Sequence, residues 1–438
     1  MKLSRLSIIF VAILLSFPVI GQDLLQLEEA IKIGLENNYG IKIRRNLETI
    51  AENNNNVGNA GMLPILSTSG STSYTSNNTK QKFFSGDERS GTGAGNTNLR
   101  LGASLNWTAF DGFQMYARKD RLELDQNQRK IFTKQAMQDL VSQIQTLYYN
   151  LVRLHQQIDI TKQSITLNED LRNLASGKLQ IGTGTNLEVL QTRNRVNADS
   201  STLLNLENQF RQNQISMNRL IGREVNIVFT VPLEIPAAVL PNLTDLVNLG
   251  LAQNYDLRLL KFDEQIALTQ IREARSALYP TVSVNLGYNY NFSRAEVGFL
   301  LSNRTFGPTA GLSFNYDLFP GRNIRRDIDN ATILQENIQL TQSDLRQDIE
   351  AALSEQYQNY QALIGLESME RKSLEIAQQN TALSRQLYRS GRATNFDVRE
   401  AILSETQIKD RISEVIYRKK LTEIEIKRLA GIPMEGVE

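Results

Sequence analysis

The sequence predicts a mixed α and β chain built from two similar halves, with four strands and several very long helices. Three observations carry this reading: an internal repeat, four stretches of strict apolar and polar alternation, and a heptad pattern sustained along a helix too long for a globular core.

The repeat sets the organisation. "GLENNYGI" at 34–41 lies over "GLAQNYDL" at 250–257, an offset of 216, and Pro64 in "MLPIL" falls on Pro280 in "LYPTV" at the same offset. Further on the offset becomes 209: "NWTAFDG" at 106–112 matches "NYDLFPG" at 315–321, "IGTGTNLEVL" matches "SGRATNFDVR", and "ISMNRLIG" matches "IEIKRLAG". The chain therefore divides into 23–230 and 231–438, each ordered as helix, two strands, long helix, short break and returning helix. The change of offset falls between 64 and 107, inside a strand pair rather than a helix. Residues 77–98, "NNTKQKFFSGDERSGTGAGNTN", are rich in Gly, Asn, Ser and Thr and predict a long mobile loop facing the exterior, with a shorter counterpart near 293–304. Their "GTGAGN" lacks the lysine and following helix of a phosphate cradle.

Residues 1–22 predict a secretory signal: Lys2 and Arg5 precede an apolar run from Leu6 to Ile20, with small residues near Gly21. The mature chain has no cysteine, so neither disulfides nor an N-terminal lipid on cysteine can hold it. No later segment offers the roughly 20 apolar residues of a spanning helix. Lys plus Arg at 48 against Asp plus Glu at 47 leaves no bulk field favouring nucleic acid.

The strands are expected at about 65–76, 99–108, 281–292 and 305–316. In the third, Val282, Val284, Leu286, Tyr288, Tyr290 and Phe292 share one face, and Ser283, Asn285, Gly287, Asn289 and Asn291 share the other. Leu99, Leu101, Ala103, Leu105 and Trp107 form such a face in the second, and Phe306, Ala310, Leu312, Phe314 and Tyr316 in the fourth; the first is Ser- and Thr-rich throughout. The helix from about 111 to 178 lacks proline and places Met137, Ile144, Leu151, Ile158 and Ile165 at seven-residue intervals, with Leu140, Leu147 and Leu154 between them. At 1.5 Å per residue such a helix runs roughly 100 Å. Its partner begins near Arg322 and passes Leu383.

Strands of this length cross a bilayer when tilted, and a sheet in lipid must leave no edge, because each unpaired peptide group there costs several kcal/mol. Four strands cannot close alone. Three chains giving four each would close twelve, with the apolar faces bearing Val282, Val284, Leu286, Tyr288, Tyr290 and Trp107 toward lipid and the Ser and Asn faces toward a wet lumen. The alternative is a periplasmic or surface coiled-coil scaffold without channel activity, which has no need of four bilayer-length apolar faces.

With the repeat, the "MLP" and "LYP" lead-ins, the "W-x-x-F-D-G" and "Y-D-L-F-P-G" exits and the paired hairpin tips, the whole mature chain resembles the TolC-like outer-membrane efflux proteins. The resemblance implies a homotrimer sharing a 12-stranded antiparallel barrel in the outer membrane of a Gram-negative cell, continuous with a periplasmic helical barrel. It implies an exit duct of a tripartite efflux or type I secretion system, partnered by a periplasmic adaptor and an inner-membrane transporter.

The tips are "LQIGTGTNLEVLQ" at 179–191 and "LYRSGRATNFDVREA" at 387–401. Glycine closes one helix, Thr185-Asn186 or Thr394-Asn395 opens the next, and Glu188 or Asp397 falls in its first turn, where the helix dipole favours an acid. The resemblance implies more: Asp397 and Glu400 match acids that ring the channel constriction, though 400 is Glu where the family often has Asp. Three copies of each would attract cations and raise one another's proton affinity. Tyr388 matches a tyrosine of the closed-state latch; Ala393 stands where the family's latch arginine belongs, beside Arg392. Gly182, Thr185, Gly391 and Thr394 are the candidate adaptor contacts.

No enzyme constellation is present. His155, the sole histidine, sits in the helical seam near Leu154 and Ile158 and predicts a packed imidazole rather than a metal ligand, and there is no Walker motif, Gly-x-Ser-x-Gly or cysteine nucleophile. No cofactor is expected.

Overall fold

The computed structural model describes residues 23–237 and 239–432, so the signal sequence expected over 1–22 lies outside the described residues. The elements run β1 (Asp23–Leu24), α1 (Leu27–Asn37), α2 (Tyr39–Asn54), β2 (Ile65–Lys82), β3 (Glu88–Phe110), α3 (Gln114–Gln180) and α4 (Asn186–Leu220). The second half repeats the order with β4 (Phe229–Thr230), α5 (Leu243–Gln253), α6 (Tyr255–Ser276), β5 (Thr281–Ala295), β6 (Ser302–Asn315), α7 (Asn323–Arg389) and α8 (Asn395–Leu429). Both α3 and α7 have 67 residues, and both α4 and α8 have 35. No described helix is long and apolar enough to cross a membrane.

The described residues form two compact units. One takes Thr133–Tyr255 with the described parts of 1–44 and 346–438; the other takes Arg45–Phe132 and Asp256–Leu345. In the first, Leu25, Ile31, Ile144, Leu151, Met217, Ile221, Phe229 and Ile424 build the core, and β1 pairs in parallel with β4. The duplication is visible here atom by atom. Asn38 donates its N–H to Gly34 O and its side-chain amide to Leu220 O at 2.8 Å; Asn254 does the same to Gly250 O and to Leu429 O at 3.1 Å. Gly222 (φ 73) and Gly431 (φ 65) close α4 and α8 in the left-handed region, and a Cβ on either would stand 2.8 Å from the carbonyl oxygen of Asn37 or Gln253. Only glycine fits such a close approach of two backbones.

The second unit holds an antiparallel sheet ordered β2-β3-β5-β6. Its register aligns like with like. One side sets Leu66, Leu105, Leu286 and Ala310 abreast, then Gly70, Leu101, Tyr290 and Phe306; the other sets Ser67, Ser104, Gly287 and Thr309 abreast. A slip of one residue would exchange the faces of a whole strand, so the pattern pins the pairing. Ser67 and Ser104 hydroxyls meet at 2.9 Å, and Asn285 donates to Ser313 Oγ at 2.8 Å, on the polar side. The strands leave for their long helices through equivalent left-handed pairs, Gly112-Phe113 (φ 71 and 70) and Gly321-Arg322 (φ 65 and 64). At Gly112 a Cβ would lie 2.2 Å from Ser276 O.

Both loop expectations are corrected, and the counterpart near 293–304 shortens to 296–301 because β5 runs to Ala295 and β6 begins at Ser302. Residues 77–98 are not a long loop: β2 continues to Lys82, β3 begins at Glu88, and only 83–87 turn. Lys80 pairs with Glu88 at 3.1 Å and Arg89 donates to Gly298 O at 2.9 Å. Small polar residues suit a strand whose neighbours supply the order, and composition alone does not separate this case from a loop.

Candidate functional site

Each hairpin tip is a short turn between two antiparallel helices. In the first, Gly182 has φ 80 and Thr185 caps α4 by accepting from Glu188 N at 3.3 Å. In the second, Gly391 has φ 74, and Thr394 forms a reciprocal capping box: its Oγ1 accepts from Asp397 N at 3.3 Å while Asp397 Oδ2 accepts from Thr394 N at 2.8 Å. A Cβ at Gly182 or Gly391 would meet nothing within 4 Å, so backbone conformation, not crowding inside the chain, requires glycine at both. Gly182, Thr185, Gly391 and Thr394 are all exposed.

The two acids at the second tip stand apart in environment. Asp397 is exposed, and the side-chain and backbone hydrogen bonds from Thr394 hold its carboxyl below the usual carboxylate range. Within one chain this is opposite to the raised proton affinity expected of a ring of acids; such a rise would start from a lowered value. Glu400 lines a cleft of about 270 Å³ between α4 and α8 with Gln191, Asn194, Arg195, Arg399 and Leu403. Arg399 donates to Gln191 Oε1 at 3.0 Å across that cleft.

Tyr388 lies at the junction of the two hairpins and is only 2 % exposed, packed with Leu171, Val398 and Ile402. Lys178 sits 3.7 Å over its ring and donates to its carbonyl at 2.5 Å, and the phenol donates to Glu188 Oε2 at 3.4 Å. Burial pushes the phenol's pKa up. The side chain of Arg392 is exposed and makes no ion pair with another described residue. Sequence reasoning missed Lys178 and Leu171 as partners of Tyr388. The buried side of α3 passes from Ile158 to Ser164, Asn168, Leu171 and Ala175, while Ile165, in the heptad series, is only half-buried. A strict seven-residue count does not follow that drift of the helix face.

Of the strand residues, Leu286, Tyr288 and Trp107 are exposed and Val282, Val284 and Tyr290 half-exposed, all on one side of the sheet. Trp107 Nε1 donates to Met62 O at 3.0 Å. His155 Nδ1 meets Val231 O at 2.8 Å and its ring packs on Phe210. Among the described residues no His, Cys, Asp and Glu group is arranged to hold a metal ion.

A sheet with one exposed apolar face, joined to paired long hairpins in a duplicated chain, defines the class of outer-membrane ducts with helical extensions. The family described as outer membrane efflux protein matches residues 36–223 and 246–432, one match per half, and this chain belongs to it. Solved structures agree in fold. The chain resembles CusC with a TM-score of 0.74 at 17% identity, covering 93% of this chain and 92% of that one. It resembles the outer membrane protein VceC from Vibrio cholerae with a TM-score of 0.74 at 15% identity (93% and 96% covered), and the CmeC outer membrane channel of Campylobacter jejuni with 0.73 at 14% (92% and 85%). No curated protein sequence matches. The protein is an efflux channel of the outer membrane.

Proposed function

We propose that three copies of this chain close a twelve-stranded barrel and form a passive duct that receives cargo from an inner-membrane transporter through a periplasmic adaptor. The observation that carries this reading is the sheet itself. Its register gathers the apolar side chains on one exposed face, and its order leaves β2 and β6 as edges with no partner among the described residues. Lipid tolerates the face and forbids the edges, so each edge must meet another chain. Twelve strands satisfy both conditions. In this arrangement Val282, Val284, Leu286, Tyr288, Tyr290 and Trp107 touch lipid, and the Ser, Asn and Gly face touches water.

In this reading the periplasmic end is closed by the second hairpin. Asp397 and Glu400 from each chain supply carboxylates to the constriction, and Tyr388 with Lys178 ties the two hairpins of one chain where the family's arginine latch is replaced by Ala393. Gly182, Thr185, Gly391 and Thr394 present an open, small-residue surface on which an adaptor hairpin docks. Each half, 23–230 and 231–438, supplies one strand pair and one hairpin. The chain needs no chemistry of its own, since the driving energy enters at the transporter.

The test is the mass of the detergent-extracted protein together with its cell fraction. A heat-dissociable species of three chain masses in the outer membrane is the expected result. A soluble monomer or dimer would overturn the shared barrel.

A further inference from the structure

The apolar face of the β5–β6 pair ends in arginine on both strands. It runs from Val284 to Phe292 on β5 and from Phe314 to Phe306 on β6, and the next residues on that side are Arg294 and Arg304. Eight residues of strand span about 26 Å, close to the height of a barrel's apolar band. Because β6 leads at its other end toward the periplasmic helices, the two arginines lie at the outer end. Phe292 pairs with Arg304 and Arg294 with Ser302, so the guanidinium groups are diagonal neighbours whose Cβ atoms stand about 7 Å apart.

Both side chains are exposed, and neither makes an ion pair or side-chain hydrogen bond with another described residue. Between Thr281 and Asn315 the single acid is Glu296, and its carboxylate is taken by Gly95 N at 2.7 Å. Two unpaired guanidinium groups at the end of an apolar face favour an anion, and at the outer boundary of a bilayer the anion at hand is a lipid headgroup. We infer that Arg294 and Arg304 form a clasp for the phosphate of an anionic glycolipid of the outer leaflet. Arginine's planar fork suits a phosphate's oxygens, and the aromatic side chains Tyr290, Phe292 and Phe306 just beneath suit the interfacial zone of the same lipid. Tyr74 completes the outer row: it pairs with Thr97, which pairs with Arg294. Closing the barrel uses only the backbone of β6 and leaves this face free.

The inference rests on the reading that the apolar face meets lipid, and the experiment separates the two. The heat-dissociation temperature of the detergent-solubilised oligomer is followed while adding diphosphorylated lipid A, its dephosphorylated counterpart, or inorganic phosphate, for the wild type and for R294Q/R304Q. The phosphorylated lipid alone should stabilise the wild type, and the concentration needed should rise roughly tenfold in the double variant. An equal response of the variant, or stabilisation by inorganic phosphate alone, overturns the clasp. Trp107 is the chain's single tryptophan. Its quenching by brominated acyl chains in proteoliposomes reports the lipid face independently and shows that the variant's barrel is intact. Quenching in both proteins together with an equal thermal response to lipid A removes the clasp only, whereas no quenching removes the lipid face itself.

Discussion

Single residues in this chain are legible in the sequence where backbone geometry decides them. Gly182, Gly391, Gly222 and Gly431 all occupy left-handed conformations at helix ends, and each stands beside the cap or repeat motif that marks it. Residues decided by burial are less legible. Asp410 carries no signal in the sequence, yet burial pushes its pKa up to about 6, and it has no hydrogen-bonding or charged partner among the described residues. The unfolded chain would ionise it near 3.9, so the folded state binds the proton more tightly. Stability is then full below that value and declines as pH rises through about 6. Asp410→Asn should leave the dissociation temperature unchanged at pH 4 and raise it at pH 8. A gain that is equal at both values would show that Asp410 is not held protonated.

Among the elements, the two hairpins are duplicates in sequence but differ in how their helices are joined. In the first, the buried carboxylate of Asp199 accepts from Ser164 Oγ at 2.9 Å and Asn168 Nδ2 at 3.0 Å and pairs with Arg195 at 3.1 Å. At the repeat positions of Asn168 and Asp199 the second hairpin has Ala377 and Ile408, which pack in an apolar cluster with Ile412. A buried polar joint specifies one register, since a shifted helix leaves its groups unpaired; an apolar joint resists sliding less. Asp199→Ala strands three donors and should destabilise the first hairpin by about 3 kcal/mol, seen as faster amide exchange in α3 and α4. The same elements show the limits of composition. Because 83–87 is the true turn, an epitope placed between Ser85 and Gly86 should be labelled on intact cells, while one at Gly93 would break β3. Labelling at 85–86 only after lysis would invert the topology.

For the whole molecule, conduction is the property to measure. If Asp397 and Glu400 narrow and charge the tip, replacing both with Ala should raise single-channel conductance and weaken block by multivalent cations; unchanged conductance would remove them from the constriction. The sequence by itself determined the duplication, the four strands and their two faces, and the hairpin turns, because periodicity, glycine and capping act over a few residues. Tertiary structure alone decided which strand pairs with which, how far the strands extend past 76 and before 99, and that Tyr388 is locked by Lys178 and Glu188. The β3–β5 pairing and the contacts of Tyr388 join residues roughly 170 to 210 positions apart, and no local pattern encodes a contact whose energy exists only once both partners are in place.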